Sequence, residues 1–438
     1  MKLQESNDQL LRLINASVSP YHTVQEGIRM LKEAGFEEWK LDSSEPLEAG
    51  KAYYTDVYGT TLIAFRMPKQ EIAGYRIATG HTDWPCFRIK PNPDQTTALY
   101  HKLNVEMYGG AISNTWLDRP LLLAGRICLK GENAFSPKEI LYSSKKPVAV
   151  IPNLAIHMNR EVNRGVELKV QTDMEILLTY LNGSKPNGLL DRIAAELGVD
   201  SSEILDCDLY AANAEQGRLI GFDEEMIQSP RLDNLTSCAS CLHGIIVNGS
   251  LKNQVSMIAL FDNEECGSRS KQGAGSVVLA SLLEKILLCS GKPGRLNYLN
   301  TVSDSFIVSL DVAHATHPNH PEKADPTNPI HLDGGVILKL STNQRYATDP
   351  SAVAVVEGLC RDNGIAHQKF VNHGDIPGGG TLGSILSATI PAKTVDIGVP
   401  LLGMHSSCEL MAASSQLAMD QFVEAYFSET GKTLETIA

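Results

Sequence analysis

Metal-ligating side chains gather at five places in this sequence. His81-Thr82-Asp83 follows the apolar run 74–80, and Arg231-Leu232-Asp233-Asn234 stands ahead of a helical pattern. Asp262-Asn263-Glu264-Glu265 closes the run 255–261, while Asp311, trailed by His314, His317 and His320, closes 305–310. The fifth group, Met404-His405-Ser406-Ser407-Cys408-Glu409, follows 395–403. Histidines and carboxylates without an obligatory cysteine suit zinc, cobalt or manganese rather than a structural Cys-zinc site. One carboxylate shared by two ions roughly 3.5–4 Å apart leaves a water between them whose lowered pKa lets it yield a hydroxide that attacks a carbonyl. Another carboxylate must then take that water's proton. The adjacent pair Glu264-Glu265 fits this division, since neighbouring carboxylates repel unless a cation is near or one is protonated. Asp83, two residues past His81, is placed to accept the imidazole's second N–H and fix its tautomer.

Each group alone has a plainer reading. An acid after a strand is commonly a helix cap or a turn residue. His317, His320 and His331 sit in a Pro-broken run and suit an ordinary loop. The coincidence of five such groups with one ligand chemistry is what favours a site.

The elements that must carry these residues are short apolar strands alternating with helices. Runs 74–80, 255–261, 305–310, 335–340 and 395–399 read as strands, and 271–288 and 407–427 as helices. The pattern implies an α/β fold, a mixed sheet covered by helices on both faces. In open α/β sheets, ligands bind beyond the carboxyl ends of the strands, so the five groups can converge on one crevice. A first amphipathic helix uses Leu10, Leu11, Leu13 and Ile14, and Thr23 to Glu26 matches a capping box for a second. From about 91 to 222 the pieces are shorter and strand-like, with a helical 189–199 and a turn-rich 180–188. We read 91–222 as an inserted, mainly β domain, leaving 1–90 and 223–438 as one discontinuous domain.

Length and composition agree with this division. The 438 residues exceed one ordinary core, and 43% hydrophobic with 20% charged is a globular profile. A formal charge of −13 disfavours a nucleic-acid or anionic-membrane binder, which needs clustered cations. No stretch reaches the roughly 20 apolar residues of a membrane span. The charged N-terminal stretch lacks the apolar core of a signal peptide. Nine scattered cysteines, an odd number, point to reduced thiols and a cytoplasmic setting, and Cys238 and Cys241 read as buried small hydrophobes.

At these residues the sequence resembles the aspartyl aminopeptidase family of co-catalytic metallo-aminopeptidases. The matching stretches are GHTDWPCFRIKP, YGGAISNTWLDRPL, IPNLAIHMNR, SPRLDNL, LFDNEECGS, SLDVAHATHPNHP, KLSTNQRYAT and VDIGVPLLGMHSSCE, in the family's order along almost the whole chain. The resemblance implies a metalloprotease that removes N-terminal residues from peptides with two divalent ions, zinc first, cobalt or manganese as substitutes. By resemblance His81 and Asp311 hold one ion, Glu265 and His405 the other, and Asp233 bridges them. Glu264 matches the general base, which acts on a metal-bridged water, and the Asp233–Asn234 peptide is expected to be cis. His157 matches a histidine that reaches a neighbouring subunit's site, while His314 and Lys339 match substrate contacts. The family also implies a middle domain that mediates dimers, and their assembly into a tetrahedral homododecamer.

Three departures bear on specificity: the glycine-rich loop 373–384, Val336 in place of a proline, and Trp84 after His-Thr-Asp. All three are expected near substrate walls. The resemblance implies a preference for N-terminal Asp or Glu, and these departures bear on that preference more than on the ligand set. Two alternatives stand beside the aminopeptidase: a metallohydrolase of the same fold acting on another amide bond, and a non-catalytic oligomeric shell or cargo protein. A Cys408–His405 nucleophile is weaker, because no third orienting group is evident.

Overall fold

The apolar runs next to the acid and histidine groups are inner strands of one nine-stranded mixed sheet. The computed structural model describes residues 1–182 and 186–432. Across the sheet the order is Glu37–Glu38, Ala52–Val57, Thr61–Arg66, Gln254–Phe261, Gly74–His81, Phe306–Leu310, Lys393–Gly398, Val336–Lys339 and His367–Phe370. The strands Gln254–Phe261, Gly74–His81, Phe306–Leu310 and Lys393–Gly398 are parallel neighbours, so their carboxyl ends finish on one edge. They are buried on both faces, which is why they read as continuous apolar runs rather than alternating ones.

Each face has its own apolar layer. Ala78, Leu260, Val308 and Ile397 pack beneath helices Leu3–Ala16, Leu232–Val247 and Ala413–Phe427. Ile77, Met257, Phe261 and Ile307 pack beneath Val278–Cys289, Arg295–Ser303 and Leu382–Thr389. The helix Leu232–Val247 lies unusually close to its neighbour. A Cβ at Gly244 would stand 2.4 Å from the Val423 Cγ1, so only glycine fits the crossing.

A second, antiparallel six-stranded sheet is ordered Lys138–Ser143, Leu121–Leu129, Ile204–Asn213, Cys86–Thr97, Tyr100–Tyr108 and Ile176–Tyr180. Its apolar residues, among them Phe87, Leu103 and Leu123, belong to the same cluster as Ala78, Leu260, Val308 and Ile397 of the first sheet. The earliest of its strands along the chain begins at Cys86, ahead of Pro91.

Several boundaries differ from those read in the sequence. The second helix is Pro20–Glu33 with Ser19 as its cap, and Thr23 lies inside it, its hydroxyl donating to Ser19 O at 3.3 Å. Proline at the first turn and a serine before it outweigh the Thr-x-x-Glu match. The helix expected over 271–288 starts only at Val278, because Gly273 and Gly275 fold back on Ser268 O. Within 407–427 a strand, Glu409–Ala412, precedes the helix Ala413–Phe427. Helix Leu189–Leu197 is present, and Cys238 and Cys241 are buried in Leu232–Val247. The turn-rich stretch 180–188 falls partly on 183–185, outside the described residues.

Candidate metal centre

Three of the five groups reach the centre directly from the ends of parallel strands. His81 ends Gly74–His81, Glu264-Glu265 follow Gln254–Phe261, and Asp311 follows Phe306–Leu310. Asp233 comes from the start of Leu232–Val247, where Asp233 and Asn234 depart from helical geometry and their peptide bond is cis. His405 arrives on the loop after Lys393–Gly398, in the left-handed conformation at φ 68°.

Asp233 stands at the middle. Its Oδ1 lies 3.4 Å from His81 Nε2, which is itself 3.6 Å from Asp311 Oδ1. Its Oδ2 lies 3.4 Å from His405 Nε2, which is 3.5 Å from Glu265 Oε2. Two donors bound tetrahedrally at about 2.1 Å from zinc stand about 3.4 Å apart. Both lobes therefore have the separation that a shared ion imposes, rather than that of a direct hydrogen bond. The donor atoms of His81, Asp233 and Glu265 all lie within 4.8 Å of one another. Asp233 Oδ1 and Glu265 Oε1 are buried without a hydrogen-bond partner, a costly state that a cation would relieve. The residues present thus fit a pair of divalent ions.

The charge balance points the same way. Burial, reinforced by Asp311 against His81, pushes Glu264 up to about 8. Burial beside Asp233 and Glu264 holds Glu265 well above the usual carboxylate range. Asp233 goes the other way: despite burial, the His405 and His81 imidazoles facing its two oxygens keep it below that range. So many carboxylates around one cavity cannot all stay charged without cations to offset them.

The surrounding bonds set ring and turn orientation. His81 Nδ1 meets the Asp83 main-chain carbonyl at 3.0 Å, closer than the 3.4 Å to the Asp83 carboxylate. The sequence had assigned that bond to the side chain. The Asp83 carboxylate instead accepts from Glu264 N at 3.2 Å, Glu265 N at 3.1 Å and the Tyr108 hydroxyl at 2.6 Å. It braces the turn that presents both glutamates. His405 Nδ1 faces Gly110 O at 3.1 Å. Buried Glu409 accepts from His405 N at 2.9 Å and Asp233 N at 3.1 Å.

The cavity in front of the donors measures about 500 Å³, and Glu264, His314, Lys339 and Tyr346 also line it. Lys339 is buried, its ammonium donating to Val312 O at 2.8 Å and Asp311 Oδ2 at 3.2 Å, above the Tyr346 ring. His157 does not line this cavity. It sits on an exposed segment with Leu154 60% and Met158 77% accessible. Of the three departures, the glycine-rich loop reaches the cavity through Gly379, Gly380 and Thr381. Trp84 and Val336 do not: both are buried, Trp84 under the Arg231 guanidinium, so their expected place in a substrate wall is corrected.

Sequence reasoning gave no role to Tyr108, Gly109, Gly110 or Glu409. A Cβ at Gly109 would stand 3.0 Å from the Glu265 Cβ, and one at Gly110 3.3 Å from His405 Nδ1. Two glycines in succession beside a strand were the available signal of such close approach. Glu409 stood within a group already noted, but nothing local marks an acid whose partners are main-chain N–H groups.

Residues 13–427 match the family described as aminopeptidase I zinc metalloprotease (M18). The chain is 42% identical over 425 residues to a probable M18 family aminopeptidase 2 of Clostridium novyi (strain NT), covering 96% of this chain and 98% of that protein. Among solved structures, a chain in the cryo-EM structure of the Ape4 and Nbr1 complex is 31% identical, with a TM-score of 0.92 over 97% of this chain and 86% of that one. The S. cerevisiae mApe1 dodecamer is 27% identical, with a TM-score of 0.82 over 97% and 98% of the two chains.

Proposed function

This chain belongs to the M18 aminopeptidases, a zinc metalloprotease family, and we propose that its reaction runs on two divalent ions held around Asp233. His81 and Asp311 would hold one, Glu265 and His405 the other, with Asp233 common to both. The observation that carries this is the pairing of each Asp233 oxygen with one histidine, at 3.4 Å on both sides. When bound, such ions supply Lewis-acid charge that lowers the pKa of water in the site and offsets charge developing on the carbonyl oxygen. Zinc is the first choice, with cobalt or manganese as substitutes.

The protein's own groups do the rest. The Glu264 carboxylate takes the proton from the attacking water and returns it to the leaving amine. Asp83 holds Glu264 in place through the main-chain N–H it accepts. Gly110 O and Asp83 O keep the two imidazoles turned so that each Nε2 faces Asp233. His314 contacts the substrate. Lys339 lines the cavity with two donors spent on Asp311 and Val312, and its charge is the feature that would draw an acidic side chain. An N-terminal Asp or Glu is therefore the proposed preference.

We place residues 91–222 as the inserted domain through which dimers form, and the dimers in a tetrahedral dodecamer, as the mApe1 relative is a dodecamer. Exposed Leu154, Ile156 and Met158 beside His157 are the surface that a neighbouring subunit would cover, bringing His157 to its site. No helix among the described residues is long and apolar enough to cross a membrane. The free cysteines support a reducing, cytoplasmic setting.

The test is a screen of peptide hydrolysis after chelation and re-addition of zinc, cobalt or manganese. Release of N-terminal Asp and Glu should exceed that of Leu and Lys. Faster Leu or Lys release would refute the acidic preference, and hydrolysis that survives chelation would refute the metal reading. N-acetylated peptides should resist cleavage.

A further inference from the structure

Past His314 the catalytic cavity adjoins a second one of about 470 Å³, the two sharing His314, Phe370 and Gly379. An aminopeptidase seats a single residue on the amine side of the scissile bond. Everything after that bond must leave the donors along a connected path, and this cavity is such a path. Its volume lies in the range that takes a small organic ligand, with room for about two or three residues.

The lining is rich in donors for an anion. Lys323 brings a full positive charge, and His317 and His373 line the same space, whereas His320, also in the lining, turns its Nδ1 to Glu322 Oε1 at 3.2 Å. His317 Nδ1 accepts from Asn319 N and His373 Nδ1 accepts from Asp375 N, both at 3.2 Å. Those bonds place the proton of each neutral ring on Nε2, the nitrogen left to donate. The lining acid, Asp325, is taken up locally. Its Oδ1 accepts from Thr327 N at 3.0 Å and from Asn328 N at 2.9 Å, which turns that oxygen toward its own loop. Ile330 and Phe370 add an apolar floor.

The geometry points to a subsite for the leaving side of the peptide that binds a carboxylate within the first residues after the scissile bond. That carboxylate is either an acidic side chain or the C-terminus of a short peptide. The inference rests on the aminopeptidase reading above and adds a second recognition element to it.

Four substrates with the same N-terminal residue test it: an arylamide, a tripeptide continuing Ala-Ala with a free C-terminus, its C-terminal amide, and an amidated tripeptide continuing Asp-Ala. The arylamide ends before the second cavity and reports the metal centre alone. At least one carboxylate-bearing tripeptide should exceed the neutral amide about threefold to tenfold in kcat/KM, the scale of a partly exposed ion pair. Which of the two carries the advantage identifies the source of the carboxylate. The double variant Lys323→Gln, His317→Gln, on an exposed loop, should bring that ratio near one. A ratio near one in the unaltered enzyme, or a ratio that survives the double substitution, would overturn the subsite. Failure of the metal-loaded enzyme to cleave even the arylamide would overturn the aminopeptidase reading itself.

Discussion

Glu264 and Glu265 are neighbours with different expected roles, and exchanging each for glutamine separates them. Both changes keep shape, and both leave the main-chain bonds to Asp83 at 3.2 and 3.1 Å intact, so the turn itself should hold. Glu264 lines the cavity, and its amide can neither take nor return a proton. A general base contributes about 10²–10⁴-fold, or roughly 2.7–5.4 kcal/mol at 1.36 kcal/mol per decade. Glu264→Gln should therefore lower kcat by that factor with little change in KM and with two ions per chain retained. Glu265 Oε2 stands 3.5 Å from His405 Nε2, in one lobe of the centre. Glu265→Gln should instead lose the ion of that lobe and fall in activity with it. The assay pairs steady-state peptide hydrolysis with elemental analysis of the same sample. If Glu264→Gln kept more than about a tenth of the activity at full metal content, the proton-transfer role would be wrong. Two ions retained by Glu265→Gln would refute the division of ligands.

Three further outcomes follow from the packing. Asp83→Ala strips partners from the N–H groups of Glu264 and Glu265 and from the Tyr108 hydroxyl. At about 1–3 kcal/mol per unsatisfied buried group, partly regained through water, urea unfolding of the metal-free protein should show a loss of about 3 kcal/mol; a loss below about 1 kcal/mol would contradict the bracing role. Gly244→Ala gains about 1 kcal/mol of helix propensity but sets its Cβ 2.4 Å from the Val423 Cγ1, and overpacking of about 1–3 kcal/mol should win, lowering the melting temperature. Burial pushes His22 from 6.5 down to about 4, so the unfolded chain binds its proton more readily and stability is lost as pH falls through that window. The full difference would be about 3 kcal/mol, and partial exposure reduces it to about 1–2 kcal/mol. His22→Gln should flatten the pH dependence of unfolding between pH 6.5 and 4 by that amount, and an unchanged slope would show that burial does not hold the ring neutral.

The sequence by itself determined the chemistry on offer and most of the elements that carry it. Strands buried on both faces advertise themselves as continuous apolar runs, and a donor just past such a run is already at the sheet's ligand-binding edge. His81, Glu265 and Asp311 were legible for that reason. Boundaries governed by competing local signals were less so. Ser19 and Pro20 displaced the Thr23 cap, and Gly273 and Gly275 delayed the helix to Val278. Only the tertiary structure decided which donors face one another, because Asp233, His81 and His405 are brought together by strand order and not by spacing. It also decided the supporting bonds. Asp83 turned out to brace the glutamate turn more than the imidazole, and the Gly109-Gly110 pair crosses from the second sheet to meet Glu265 and His405. Main-chain carbonyls and N–H groups do this positioning, and since nearly every residue carries them, the one-dimensional sequence cannot mark which will be used.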